Sequence, residues 1–122
     1  MIDHTGVNVN DFEASRRFYA AALAPLGYEL LLEFYDSVAG FGEQGKPDFW
    51  IIQGEANTPR IHVAFRADTR QKIDTFYEAA LGVGGRENGA PGLRPQYHPD
   101  YYGAFILDPD GHNIEAVCHS PT

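Results

Sequence analysis

Two histidines, His4 and His62, stand 58 residues apart, and Glu115 follows in the last apolar run of the chain. Imidazole nitrogens and carboxylate oxygens are ligands for divalent metals. A set of two His and one carboxylate with open coordination positions is the usual mark of non-haem iron(II), and the same donors accept Mn2+, Zn2+, Ni2+ or Co2+. Iron(II) is the first choice for this chain. Open positions would let a small oxygen-rich substrate bind through two oxygens and be polarised. Ligands this far apart in sequence meet only if the elements carrying them bring them to one face.

Those elements come twice. "RFYAAAL" at 17–23 returns as "TFYEAAL" at 75–81, five letters of seven matching, again at an offset of 58. A fixed offset is the signature of an internal repeat. Asn10 with Glu13, and Asp68 with Gln71, have the spacing of helix-capping pairs and predict two helix starts. Phe18, Tyr19, Ala22 and Leu23 form one apolar stripe, and Phe76, Tyr77, Ala80 and Leu81 the other. Pro25 predicts the end of the first helix, and Gly82, Gly84 and Gly85 that of the second. Strand-like runs flank both helices: "IDHTGVNV", "YELLLEF", "SVAGFG" and "DFWIIQ" in the first half, and "RIHVAFRA", "YYGAFIL" and "NIEAVC" in the second. Each half therefore reads as a β-α-β-β-β unit, 1–57 and 58–122, too small to bury its own sheet alone. Alternation along strands puts Thr5, Val7 and Val9 on one face and His4, Gly6 and Asn8 on the other. Likewise Ile61, Val63 and Phe65 oppose His62, Ala64 and Arg66, while Ile114, Ala116 and Cys118 oppose Asn113, Glu115 and Val117. If the apolar faces meet the helices, all three candidate ligands project from the helix-free side.

Composition bounds the partners. A chain of 122 residues, 43% apolar, fits one domain. Nine Lys and Arg against 17 Asp and Glu give a net charge of −8, which argues against nucleic acid and anionic membrane surfaces. No apolar run approaches the roughly 20 residues of a membrane span. The N-terminal residues do not read as a signal peptide, and the single Cys118 cannot form an intrachain disulfide, so a cytoplasmic location is expected.

Residues 85–103, "GRENGAPGLRPQYHPDYYG", carry three prolines and several glycines, which exclude a regular helix or a central strand. Arg94, Tyr97, His98, Tyr101 and Tyr102 make this segment a candidate substrate-covering loop. An edge loop with packed tyrosines is the other reading. Trp50 is either an aromatic pocket wall or core.

The chain resembles the vicinal oxygen chelate superfamily, which includes glyoxalase I, bleomycin resistance proteins, fosfomycin resistance thiol transferases and extradiol dioxygenases. The resemblance covers the whole chain and rests on the two halves, on "IDHTGVNVNDFEASRRFY" and on "LDPDGHNIEAV". It implies that Glu115, His4 and His62 are metal ligands, while Asp108, Pro109 and Gly111 serve a turn. A four-ligand glyoxalase I takes a further carboxylate from the last strand of the first half, where Phe49 or Trp50 stands here. The three-ligand set is closer to the dioxygenases and the fosfomycin enzymes, but the latter carry a tyrosine where Phe105 stands. By analogy with extradiol dioxygenases, His98, Tyr101 and Tyr102 are candidates for acid–base work. Trp50, Arg94 and Phe105 are candidates for substrate binding as an aromatic wall, a charged group of the 85–103 segment and part of an aromatic cleft.

The expectation is an α+β fold of two tandem β-α-β-β-β modules whose curved mixed sheets form a metal-binding cup. The function expected is a small metal-dependent enzyme of the glyoxalase or dioxygenase type; the alternative is a small-molecule binding or resistance protein on the same scaffold. A homodimer is expected, with His4 of one chain completing the site of the other.

Overall fold

Both helices begin one residue later than the spacing predicts. A computed structural model, which describes residues 1–121, places helix α1 at Phe12–Leu23 behind Asp11, whose side chain accepts from the Ala14 amide at 3.2 Å. Helix α2 spans Arg70–Gly82 behind Thr69, which accepts from the Lys72 amide at 3.3 Å. Asn10 and Asp68 are therefore not the caps. The Asn10 side chain instead accepts from the Ala56 amide at 2.8 Å, and Asp68 pairs with Lys72 at 2.9 Å. A neighbouring Asp or Thr offers the same cap chemistry, so a tertiary contact to Ala56 draws Asn10 away in the first helix and a local i,i+4 ion pair draws Asp68 away in the second. Pro25 ends the first helix as expected, through a short 3-10 turn at Ala24–Leu26 that closes on Gly27, left-handed at φ 92°.

Strand β1 (Thr5–Val9) precedes α1, and β2 (Glu29–Phe34), β3 (Val38–Glu43) and β4 (Lys46–Gln53) follow it. The second half repeats the pattern with β5 (His62–Ala67), α2, β6 (Arg86–Leu93), β7 (Tyr102–Leu107) and β8 (Asn113–Cys118). The sheets have orders β1-β4-β3-β2 and β5-β8-β7-β6. In each, the first and last strands of the module pair in parallel and the other pairs are antiparallel. A parallel pair requires a crossover, which the helix and the following hairpin supply.

Residues 85–103 are not one loop. Arg86–Leu93 forms the edge strand of the second sheet, with register breaks at Gly89 and Gly92. Pro91 fits there because an edge strand tolerates a missing amide donor. The connection is left to residues 94–101.

The helix-facing sides are apolar, as alternation predicts. Val7, Val9, Phe41, Ile51, Ile106, Ile114 and Ala116 are fully buried with Phe18, Tyr19, Ile73 and Phe76 of the helices. Each such large side chain contributes about 1.5–3 kcal/mol on burial. Phe65 joins the two halves, its ring edge-on to Phe49 at 5.1 Å and to Tyr28 at 5.5 Å.

The turn between β7 and β8 fastens the halves together. Gly111 adopts φ 89°, a conformation glycine takes without penalty. Asp108 Oδ1 accepts from the amides of Asp110 at 2.9 Å and His112 at 2.8 Å, while the Tyr19 hydroxyl, from the first module, donates to Oδ2. His112 is fully buried. Its Nδ1 accepts from the Ile61 amide at 3.1 Å, which leaves Nε2 to donate to the Asn8 carbonyl at 3.2 Å in the first module.

Candidate metal centre

The parallel ladder sets His62 beside Glu115. Ala64 lies opposite Glu115 and His62 opposite Asn113, so His62 and Glu115 are diagonal neighbours on the helix-free face. His62 Nε2 lies 2.8 Å from Glu115 Oε1. The Glu115 residue is only 1% exposed, whereas half of the His62 side chain meets solvent. A buried carboxylate requires partners on its oxygens, and the Tyr101 hydroxyl donates to Oε2. Burial first, and the Glu115 contact second, push the Tyr101 phenol up to about 12. A neutral phenol is thus maintained as the donor to Glu115 throughout the physiological range.

His4 is not brought to this pair within one chain. It precedes β1, its side chain is 62% exposed, and Nδ1 lies 2.7 Å from Asp3 Oδ1. That contact, with Lys46 behind it, holds the Asp3 carboxyl below its usual value. Among the described residues, three ligand-bearing side chains bring atoms within 4.8 Å of one another at Asp108, Asp110 and His112. Those atoms are already committed. Both His112 nitrogens and both Asp108 oxygens serve the turn and the module seam, and Asp110 accepts from the Asn10 amide at 3.2 Å. The cluster is therefore explained as a fastening.

The other sequence candidates separate into three places. Phe105 lies opposite Glu115 in the β7–β8 ladder, its ring 6.3 Å from that of His62. Arg94 folds over Phe105, 5.5 Å from the ring centre, and donates to the carbonyls of Gly92 at 2.9 Å and Ala90 at 2.8 Å. Trp50 lies on the other sheet, its ring near-parallel to that of Phe34 at 6.4 Å. Gly40 lies across from it, where an added Cβ would meet the indole at 2.7 Å. Tyr102 turns away from the site. Strand alternation puts it on the helix side, where it donates to Asp74 at 2.7 Å beneath Arg70. His98 contacts Tyr101 and reaches His119, a residue whose position in the sequence carries no signal for the site.

Register settles which residue occupies the place of the missing carboxylate. Gly6 pairs with Trp50 as Ala64 pairs with Glu115, so Trp50 stands where the second half has its glutamate. Gly6 and Ala64 are 58 residues apart but Trp50 and Glu115 are 65 apart. The second half thus holds seven extra residues, and they lie in the segment that carries Tyr101.

Two repeated modules, each a helix over a four-stranded mixed sheet, with a His–Glu pair on the open face, define a glyoxalase-like protein. The chain belongs to the Glyoxalase/Bleomycin resistance protein/Dioxygenase superfamily, whose model matches residues 1–116. A crystal structure of a glyoxalase/bleomycin resistance protein from Albidiferax ferrireducens T118 is similar, with a TM-score of 0.81 and 28% identity, covering 96% of this chain and 97% of that one. The Bacillus subtilis (strain 168) protein YqjT is 28% identical, covering 96% of this chain and 98% of its own length. The fold is also that of lactoylglutathione lyase from Agrobacterium tumefaciens, with a TM-score of 0.69 at 17% identity, covering 96% of this chain and 92% of that one. Among the described residues, no helix is long and apolar enough to cross a membrane.

Proposed function

We propose that this protein is a small metal-dependent enzyme that binds an oxygen-rich small molecule at His62 and Glu115. The observation that carries the proposal is the convergence of His62 Nε2 and Glu115 Oε1 on the open face, with the other carboxylate oxygen held by Tyr101. An imidazole nitrogen and a carboxylate oxygen are a donor set suited to a first-row divalent ion, iron(II) before manganese, zinc, nickel or cobalt. Bound there, such an ion would supply Lewis acidity toward two substrate oxygens. The residues around it do the rest. Tyr101 fixes the orientation of Glu115, Phe105 gives the substrate an apolar floor, and Arg94 presents a braced guanidinium beside it. Superfamily membership supports the reading.

Two ligands from one chain fall short of the expected three, and the first module supports a second copy as the source of the third. Its open face carries Leu32 and Phe34, each 45% exposed, beside the half-buried Trp50. That apolar surface needs a cover. A two-fold dimer would lay it over the open face of the second module and bring in His4 of the other copy. The test is retention of metal after loading with Fe2+, Mn2+, Zn2+, Ni2+ or Co2+ and dialysis. Wild type retains about one ion per chain, and His62→Ala and Glu115→Ala each lose it. If both variants hold metal as wild type does, the site is elsewhere.

A further inference from the structure

The connection that brings Tyr101 to Glu115 is eight residues long, and an exposed segment of that length does not hold a side chain in place by itself. Its base is tied by the backbone. The Arg94 amide donates to the Tyr101 carbonyl at 2.7 Å, and the Tyr101 amide to the His98 carbonyl at 3.1 Å. The outer side is tied by two imidazoles. The Asp100 amide donates to His98 Nδ1 at 3.1 Å. That nitrogen is therefore the acceptor and Nε2 carries the proton, in the neutral tautomer. His98 Nε2 then donates to His119 Nδ1 at 2.7 Å. The ring centres are 4.9 Å apart with planes inclined by 26°. Nitrogens so much nearer than the centres mean that the rings meet end to end in a directed N–H···N bond. Tyr101 packs edge-on against both, at 5.5 Å from His98 and 5.4 Å from His119.

His119 follows β8 directly, the strand that carries Glu115. We propose that the His98–His119 hydrogen bond is a clasp that fastens the 94–101 connection to the end of β8 and so holds the Tyr101 hydroxyl on Glu115, making both histidines positioning residues for that carboxylate. The clasp has a direction: His98 must be the donor and His119 Nδ1 the acceptor, because the Asp100 amide already occupies the other His98 nitrogen. The two histidines are not metal ligands in this scheme and do not touch a substrate. The inference concerns the site of the proposed function, but it is a statement about the metal-free chain, and it stands or falls without any metal being bound.

The direction of the bond gives the test its specificity. In His119→Asn the side-chain carbonyl oxygen takes the place of Nδ1 and keeps the acceptor, whereas His119→Ala removes it. Three readouts are taken on the full-length, metal-free protein: N–N scalar coupling between His98 and His119 imidazoles in the wild type, the NMR resonance of the Tyr101 hydroxyl proton (assigned by its loss in Tyr101→Phe), and amide exchange at Arg94 and Tyr101. In the wild type the coupling and the hydroxyl resonance are both present. In His119→Ala, and in His98→Ala, the hydroxyl resonance is lost and the two amides exchange about five- to tenfold faster, the factor expected for one net hydrogen bond. His119→Asn restores the resonance and the protection. If His119→Ala, folded by its methyl spectrum, keeps the hydroxyl resonance and wild-type exchange, the clasp is refuted. It is refuted equally if His119→Asn behaves like alanine. Metal retention, measured separately on the same variants, reports on the proposed function and leaves this outcome untouched.

Discussion

Replacing His112 tests whether the most family-like stretch of the chain is a fastening. His112 is fully buried and joins the modules through the Ile61 amide and the Asn8 carbonyl. In His112→Ala two hydrogen bonds disappear, at about 1 kcal/mol each. The partners they leave are only half-buried, so water recovers part of the penalty. A cavity of imidazole size adds about 1–2 kcal/mol. The sum is about 3–4 kcal/mol, a large share of the 5–15 kcal/mol typical of a domain, and it corresponds to a fall in Tm of roughly 10–20 °C. Urea unfolding followed by circular dichroism measures it, with an unchanged slope showing that the unfolded state is the same. His112→Asn returns an acceptor near the Nδ1 position and His112→Gln a donor near Nε2, and each recovers about 1 kcal/mol. Chelators leave all these values unaltered, since the cluster with Asp108 and Asp110 is held by hydrogen bonds. A cost below about 1 kcal/mol for His112→Ala, or a chelator-sensitive Tm traced to this cluster, refutes the reasoning.

Subunit mixing checks the shared cup: His4→Ala and Glu115→Ala chains, exchanged and verified by mass, regain one metal site per mixed dimer, and no regain after verified exchange rejects the arrangement. Gly40→Ala drives a methyl against Trp50, the only tryptophan, and is expected to cost about 1–3 kcal/mol and to shift the indole emission; an unshifted spectrum contradicts the placement of the ring. Burial first, then its bond to Asp48, raises the Tyr28 phenol above its usual value. A raised folded-state value means that this stabilisation is complete below the unfolded phenol's pKa of about 10 and is lost as pH rises toward the folded-state one. Tyr28→Phe therefore flattens the decline of stability between pH 10 and about 11.5, and parallel curves for the two proteins count against it.

The repeat is legible in the sequence because it rests on local signals: matched stripes, stops and alternating strands, each set by residues close in sequence. His62 and Glu115 are legible for the same reason, since alternation alone puts them on one face. Tyr102 misleads because Tyr101 and Tyr102 are adjacent, and only the strand start decides which of them faces the helix. The strand Arg86–Leu93 is hidden by its glycines and Pro91, which the edge of a sheet accepts. His119 is beyond reach, because its contact with His98 depends on how a connection with no periodic pattern folds back. The first helix cap slips by one residue because a distant segment, at Ala56, competes for Asn10, and the second because Asp68 pairs with Lys72 one turn on.

The turn at Asp108 and His112 has a bearing on how the chain acquires its structure. Tyr19, Asn8 and Asn10, all near the beginning of the chain, find their partners some 90 to 105 positions later, at Asp108, Asp110 and His112. The first half emerges from the ribosome long before those partners exist. Until they arrive, the Tyr19 hydroxyl has no acceptor in its apolar surroundings and the edge beside Asn8 stands open. Despite the tandem design, the last quarter of the chain therefore completes the first, and a nascent or truncated product ending before Gly111 would be a substrate for proteases and chaperones.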